Sequence, residues 1–195
     1  MPELQTIDII MIIAGYLAGS VCSAIILARL MGLPDPRGEG SGNPGATNML
    51  RVGGKKAAFL TLIGDMLKGV IPVLVAIQLG VHPQLILVVG FAAFLGHLYP
   101  VFFKFQGGKG VATAIGIIAA SNWILGLFTG AVWLGMALIT KISSLSALTA
   151  FALTPVFAWL MGYSMFTVGI LIVISVMLFW RHRTNIRMLL DGTET

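Results

Sequence analysis

"VATAIGIIAASNWILGLFTGAVWLGMALIT", residues 111–140, is a run of 30 residues without a charge. A bilayer core of about 30 Å is crossed by roughly 20 helical residues, with about 17–25 the usual range. The run is therefore long for one crossing and short for two, and the fold turns on which it is. Lys109 precedes the run and Lys141 follows it. Lys and Arg in short loops mark the cytoplasmic side of a membrane. One crossing would set the two lysines on opposite sides; two crossings, turning near Ser121-Asn122, set them on the same side. The other cations agree with the second reading. Arg37, Arg51, Lys55 and Lys56 fall in 31–56, Lys104 shares the loop of Lys109, and Arg181, Arg183 and Arg187 lie in the tail, while 1–6, 80–83 and 162–164 hold none.

The chain is 57% hydrophobic and only 10% charged, with a mean hydropathy of +0.98. A soluble domain of this size could not hide so much apolar surface. The predicted fold is an all-α integral membrane protein with about seven transmembrane helices, in a single domain over 1–195. The crossings are 7–30, 57–79, 84–103, a short fourth helix near 111–120, the second half of the long run, 145–161 and 165–180. The N-terminus is then outside and the C-terminus cytoplasmic. A fourth helix over 111–120 rises only about 15 Å, so neighbours must shield its ends from lipid. The first apolar stretch, from Ile7, is too long for a leader and has no cationic flank before it. Cys22, the single cysteine, sits in an apolar run and reads as core, so no internal disulfide is available. The net charge of +5 is spread over short polar interruptions. That suits anionic head groups or phosphorylated substrates, and no nucleic acid is expected as partner.

With this topology the informative polar segments share one face. In the stretch 40–51, Gly40, Gly42 and Gly45 permit tight turns and close approach of a ligand to the backbone. Successive N–H groups in such turns form an anion-binding nest. Ser41, Asn43, Thr47 and Asn48 add short donors, and Arg51 adds a planar fork suited to phosphate. Residues 40–45 formally match G-x-G-x-x-G, but no strand precedes them, which excludes a dinucleotide fingerprint. The second segment repeats the theme. Gly107, Gly108 and Gly110 surround Lys109, Lys104 is close by, and a helix should start near Thr113, its amides turned toward an anion.

His182 and Asn185 are three apart and share a helix face if the last helix continues past Trp180. His97, near the end of the third crossing, reads as a helix-end or head-group residue, and His82 as a bland one. Asp65 and Lys68 lie at i, i+3 within the second crossing. Charged groups are costly there, so an ion pair is expected, either structural or in contact with substrate. Pro72 predicts a kink in the same helix. Ser143, Ser144 and Ser146, next to Lys141, are further phosphate donors or helix caps. No metal-ligand spacing appears.

"SGNPGATNMLR" (41–51), "GHLYPVFFKFQGGKGVAT" (96–113) and "HRTNIRMLLDGTE" (182–194) resemble the three signature segments of the PlsY family, the bacterial acyl-phosphate-dependent glycerol-3-phosphate acyltransferases. The resemblance runs through the chain in the family's order. It implies a multi-pass inner-membrane enzyme with its active site facing the cytoplasm, acting without metal or other cofactor. It implies acyl phosphate and glycerol 3-phosphate as substrates and lysophosphatidic acid as product. On this sequence it points to Ser41 and Arg51 with Gly42, Asn43 and Thr47 around a phosphate, and to Lys109 with Gly107, Gly108 and Gly110 as the acceptor site. It marks His182 and Asn185 as functional and Glu194 as structural. The His-x4-Asp motif of the acyl-CoA type is absent, since Leu87, Phe102 and Arg187 stand five residues after the three histidines. The rival class is a membrane transporter of a phosphorylated metabolite or anion. Transporters often show paired halves or two interrupted helices, and neither stands out here.

Overall fold

The computed structural model describes residues 4–194, and all regular structure among them is helical. The helices are α1 (Thr6–Gly19), α2 (Ser23–Leu30), α3 (Ala46–Gln78), α4 (Pro83–Leu98), α5 (Val111–Ser121), α6 (Trp123–Thr140), α7 (Ser143–Leu160), α8 (Met165–Arg181) and α9 (Arg183–Leu190). The run 111–140 is two helices. Asn122 is extended, with φ −155° and ψ 110°. Its side-chain oxygen accepts the N–H groups of Ile124 and Leu125, both at 3.1 Å, and so caps α6. Ser121, the last residue of α5, returns its hydroxyl to Ile117 O at 2.9 Å, and the extended Asn122 ends the helix. A polar pair in an apolar run thus makes the turn that the charges require.

Three other boundaries differ from the sequence expectation. The first crossing is a bent pair, α1 and α2, at 44°. α3 begins at Ala46 rather than near 57, so Arg51 stands on a helix and not in a loop. The departure from helical dihedrals within α3 is at Gly54, with φ 75° and ψ −170°, while Pro72 sits in helical backbone. Glycine is the residue that takes such a φ without strain. Four segments are long and apolar enough to cross a bilayer, or six when the bent pairs α1–α2 and α8–α9 each count as one. α5, with 11 residues, falls short.

α1 packs chiefly on α4, α3 on α5, and α6 on α7. Small residues set these approaches, as between helices in lipid. A Cβ at Gly19 would overlap the Ala93 carbonyl, and one at Gly69 would overlap that of Thr113. The main core gathers Val73, Phe94, Ile117, Phe151, Leu171 and Leu178. A second cluster, with Cys22, Ile25 and Met49, fixes α2 against the start of α3. Leu127, Leu138, Ile139, Trp159 and Trp180 project outward, exposed. In water such a surface would be a liability; in a bilayer it is the solvent-facing side.

Candidate active site

A cavity of about 640 Å³ opens where the first turns of three helices meet. Gly45, Ala46 and Thr47 begin α3; Gly110, Val111 and Ala112 begin α5; Ser143 and Ser144 begin α7; all of them line it. None of the three starts has a side-chain cap on its free N–H groups. Each helix N-terminus carries partial positive charge, so three of them turned on one space make a site for anions. Arg51, Lys109 and Lys141 line the same space. That Lys109 and Lys141 share it also shows the two ends of the 111–140 hairpin on one face.

The loop before α3 owes its shape to Asn48. Its side-chain oxygen accepts Ser41 N–H at 2.9 Å, and its amide donates to Pro36 O at 2.8 Å and Glu39 O at 3.0 Å. Asn48 is buried. Both its polar ends are used within the protein, so it builds the loop. Ser41, Asn43 and Gly45 are thereby set along the cavity rim. Thr47 Oγ1 meets Ser143 Oγ at 3.2 Å, joining the starts of α3 and α7.

On the other side, Lys109 Nζ donates to Asn185 Oδ1. Asn185 Nδ2 in turn donates to Glu194 Oε1 at 2.5 Å, and Ser144 Oγ donates to the same oxygen at 2.6 Å. Glu194 thus ties the tail to α7 and to the Lys109 loop. Burial pulls the Lys109 pKa down from its ordinary value; Glu194 opposes this, while Arg181 and Arg51 add to it. His182 Nδ1 lies 2.8 Å from Leu178 O. A carbonyl only accepts, so Nδ1 carries the proton and Nε2 keeps its lone pair in the neutral ring. Burial pushes the His182 pKa down to about 4; the Leu178 carbonyl and Glu194 oppose it, and Lys109 and Arg181 reinforce it. The imidazole is therefore neutral at pH 7.

The cavity lining unites Ser41, Asn43, Gly45, Thr47, Asn48, Arg51, Asp65, Lys109, Gly110, Ser144, His182 and Asn185. It does not include Gly42, Lys104, Gly107, Gly108, Ser146 or Lys68. Gly42 makes a turn with φ 68°, and Lys104 occupies a left-handed turn after residues 101–103. Gly107 and Gly108 pack on the end of α4: a Cβ on either would overlap His97, at its carbonyl or at its ring. Ser146 is fully buried and bonds Ile142 O at 2.8 Å in its own helix. Lys68 Nζ lies 2.9 Å from Asp65 Oδ1 and donates to Val21 O at 2.8 Å, so the pair ties α3 to the α1–α2 break.

Sequence reasoning passed over His97, Lys141 and Trp133, which all line the cavity. His97 Nδ1 is 3.1 Å from Thr113 Oγ1, whose hydroxyl also donates to Asp65 O at 2.8 Å. Lys141 had a signal, its place directly before a serine cluster. Trp133 had none. Below the charged end, Phe59, Leu62 and Met66 of α3, Ile115 of α5, and Gly130, Trp133 and Leu134 of α6 form an apolar arm. Phe59 and Leu134 are more than half exposed, so the arm opens sideways between α3 and α6.

The chain resembles known proteins over almost its whole length. Residues 9–192 match the family model described as glycerol-3-phosphate acyltransferase. A glycerol-3-phosphate acyltransferase of Methylococcus capsulatus is 55% identical over 179 residues, 92% of this chain and 90% of that one. One of Thioalkalivibrio sulfidiphilus is 54% identical, over 94% of this chain and 91% of the relative. Crystal structures of PlsY, an integral membrane glycerol 3-phosphate acyltransferase, superpose closely. The glycerol 3-phosphate form gives a TM-score of 0.91 at 42% identity, covering 96% of this chain and 94% of the other. The lysophosphatidic acid form gives 0.88 at 41%, with the same coverage. An all-helical, lipid-facing fold around a cationic cavity, carrying all three signature segments, agrees with these likenesses, and the chain belongs to the glycerol-3-phosphate acyltransferase family.

Proposed function

We propose that this chain transfers an acyl group from an acyl phosphate to the primary hydroxyl of glycerol 3-phosphate, giving lysophosphatidic acid and inorganic phosphate. One observation carries the reading. A single cavity joins a phosphate-binding end, made of three helix N-termini and three cations, to an apolar arm that opens on lipid. Both substrates carry a phosphate, and one carries a long chain.

The hydroxyl oxygen attacks the acyl carbonyl carbon, the bond from that carbon to the bridging oxygen breaks, and phosphate leaves with that oxygen. Charge collects on the leaving phosphate. Arg51, Ser41 and the amides of the α3 start stabilise it there without reorganisation. Lys109, set by Asn185, and the α5 start hold the acceptor's phosphate. Ser144 closes this side through Glu194. The hydroxyl proton has two places to go. With a pKa of about 4, His182 is a weak base. A phosphate dianion, with its second pKa near 6, is the better acceptor. His182 Nε2 then accepts a hydrogen bond from the acceptor's secondary hydroxyl and so aims the primary one, whose proton goes to the phosphate. With a good leaving group, such positioning supplies much of the rate.

The same reading gives seven crossings: the four long segments, the bent pair α1–α2, α8 and the short α5, with α9 in the cytoplasmic tail. The N-terminus faces outward and the cavity faces the cytoplasm, in a bacterial inner membrane, with 1–195 as one catalytic unit. The one-sided Lys and Arg support this orientation. The test is purified protein in detergent with acyl phosphate and glycerol 3-phosphate, following phosphate release and product mass. Turnover without a membrane excludes a transporter. No turnover with acyl phosphate, or turnover only with acyl-CoA, would overturn the proposal.

A further inference from the structure

The loop that carries Lys109 is gripped on its main chain by a residue outside the cavity. Arg181, the last residue of α8, donates from Nε to Gly108 O at 3.1 Å and from Nη2 to Gly107 O at 2.7 Å. Its guanidinium stacks 5.7 Å from the centroid of the Tyr99 ring. Tyr99 is itself fixed, since Tyr16 on α1 donates its hydroxyl to Tyr99 O at 2.8 Å. From beneath, Gly108 N–H donates to His97 O at 3.2 Å, and neither Gly107 nor Gly108 has room for a side chain against His97. The two peptide units before Lys109 are thus held between the end of α4 and a planar fork from α8.

We propose that Arg181 is a positioning residue for the acceptor substrate: its clamp on Gly107 and Gly108 sets where Lys109 meets the phosphate of glycerol 3-phosphate. The inference rests on the acyl-transfer reading of the cavity. The α8–α9 junction acts twice on one loop. Arg181 fixes the backbone, and Asn185, four residues on, takes the ammonium of Lys109. The geometry needs a guanidinium. Two buried carbonyls in sequence match its two parallel N–H vectors, and its flat face matches the Tyr99 ring. An ammonium offers neither the fork nor the stack. If Arg181 served only as one more cytoplasmic cation, lysine would replace it freely.

The test compares wild type, Arg181→Lys, Arg181→Gln and Tyr99→Leu, purified in detergent. KM and kcat are measured for each substrate, with thermal unfolding alongside. A misplacement of about 1 Å can cost roughly 100-fold in rate. Both Arg181 variants should therefore raise KM for glycerol 3-phosphate on the order of tenfold or more, with KM for acyl phosphate held within about twofold. Tyr99→Leu should show the same split at smaller size, and it carries the test if the Arg181 variants do not fold. Wild-type constants in Arg181→Lys would overturn the inference. So would a lower unfolding temperature with both KM values unchanged, or an equal rise in both. Absence of turnover in the wild type is a separate result, and it would count against the acyl-transfer reading instead.

Discussion

Asn48 accepts the Ser41 N–H at 2.9 Å across the loop that precedes α3, and through this bond a buried amide on a helix shapes a segment without regular structure. The same side chain donates to Pro36 and Glu39 carbonyls. Asn48→Ala leaves these groups without partners, at about 1–3 kcal/mol for each one that water does not reach. The variant should unfold several degrees lower and turn over more slowly. Asn48→Asp should not rescue it, because a carboxylate keeps the acceptor for Ser41 and loses both donors. Thermal unfolding and steady-state rates check this; an unchanged Asn48→Ala would show that the loop holds its shape without the amide.

Arg51 stands on the first turns of α3 and lines the cavity. As a fork on a substrate phosphate, it should not be replaceable by lysine. Arg51→Ala should lose about 100- to 1000-fold in kcat, as when an oxyanion donor is removed. Arg51→Lys should fall between that and wild type, with normal insertion. Wild-type kinetics in Arg51→Lys would make this residue a topology signal only.

The pH profile separates the two roles open to His182. Its lowered pKa, about 4, means that it takes up a proton only in strong acid. As pH falls from 8 to about 5 the ring stays neutral, so it contributes no acid limb there. A limb near pH 6 belongs to the substrate phosphates, whose second pKa is about 6. His182→Gln should therefore slow turnover about 100-fold and keep that limb. Loss of the limb in the variant would identify the histidine as the base.

Gly130 lines the apolar arm, and an added Cβ there meets nothing within 4 Å. Gly130→Phe should fill the arm without disturbing the helix contacts. Each methylene excluded from an apolar site costs about 0.8 kcal/mol. The variant should shift kcat/KM toward donors with shorter acyl chains, with KM for glycerol 3-phosphate unchanged. Equal loss for all chain lengths would place the acyl chain elsewhere.

Orientation is open to a labelling test. In a Cys22→Ala background, a cysteine at exposed Gln106 should resist an impermeant thiol reagent on intact cells, and one at exposed Gly80 should react. The reverse pattern would invert the proposed topology.

Much of the fold was legible because the bilayer allows few solutions. Lys109 and Lys141 determined the hairpin, and Ser121-Asn122 supplied its turn. The start of α3 was missed for a local reason: residues 46–53 interrupt Met49, Leu50 and Val52 with Thr47, Asn48, Arg51 and Gly53, and their helix is held by packing on α2 rather than by an apolar run of their own. Within the site, charge and hydrogen-bonding capacity drew attention to Arg51, Lys109, His182 and Asn185. The glycines were less transparent. Gly107 and Gly108 read as room for a phosphate, yet in the fold they are room for His97. Nothing in the pattern of α6 distinguished Trp133 or Gly130 from lipid-facing neighbours. Which of its faces closes the cavity is a matter of tertiary packing.

The sideways opening of the apolar arm between Phe59 and Leu134 has a kinetic consequence. Under the proposed reaction, one substrate arrives through three-dimensional solution and the other by lateral diffusion within a two-dimensional film. For the second, the quantity that governs saturation is its mole fraction among the surrounding amphiphiles. Adding detergent or inert lipid at constant total donor should therefore slow the reaction by surface dilution, while the dependence on glycerol 3-phosphate keeps its ordinary molar units.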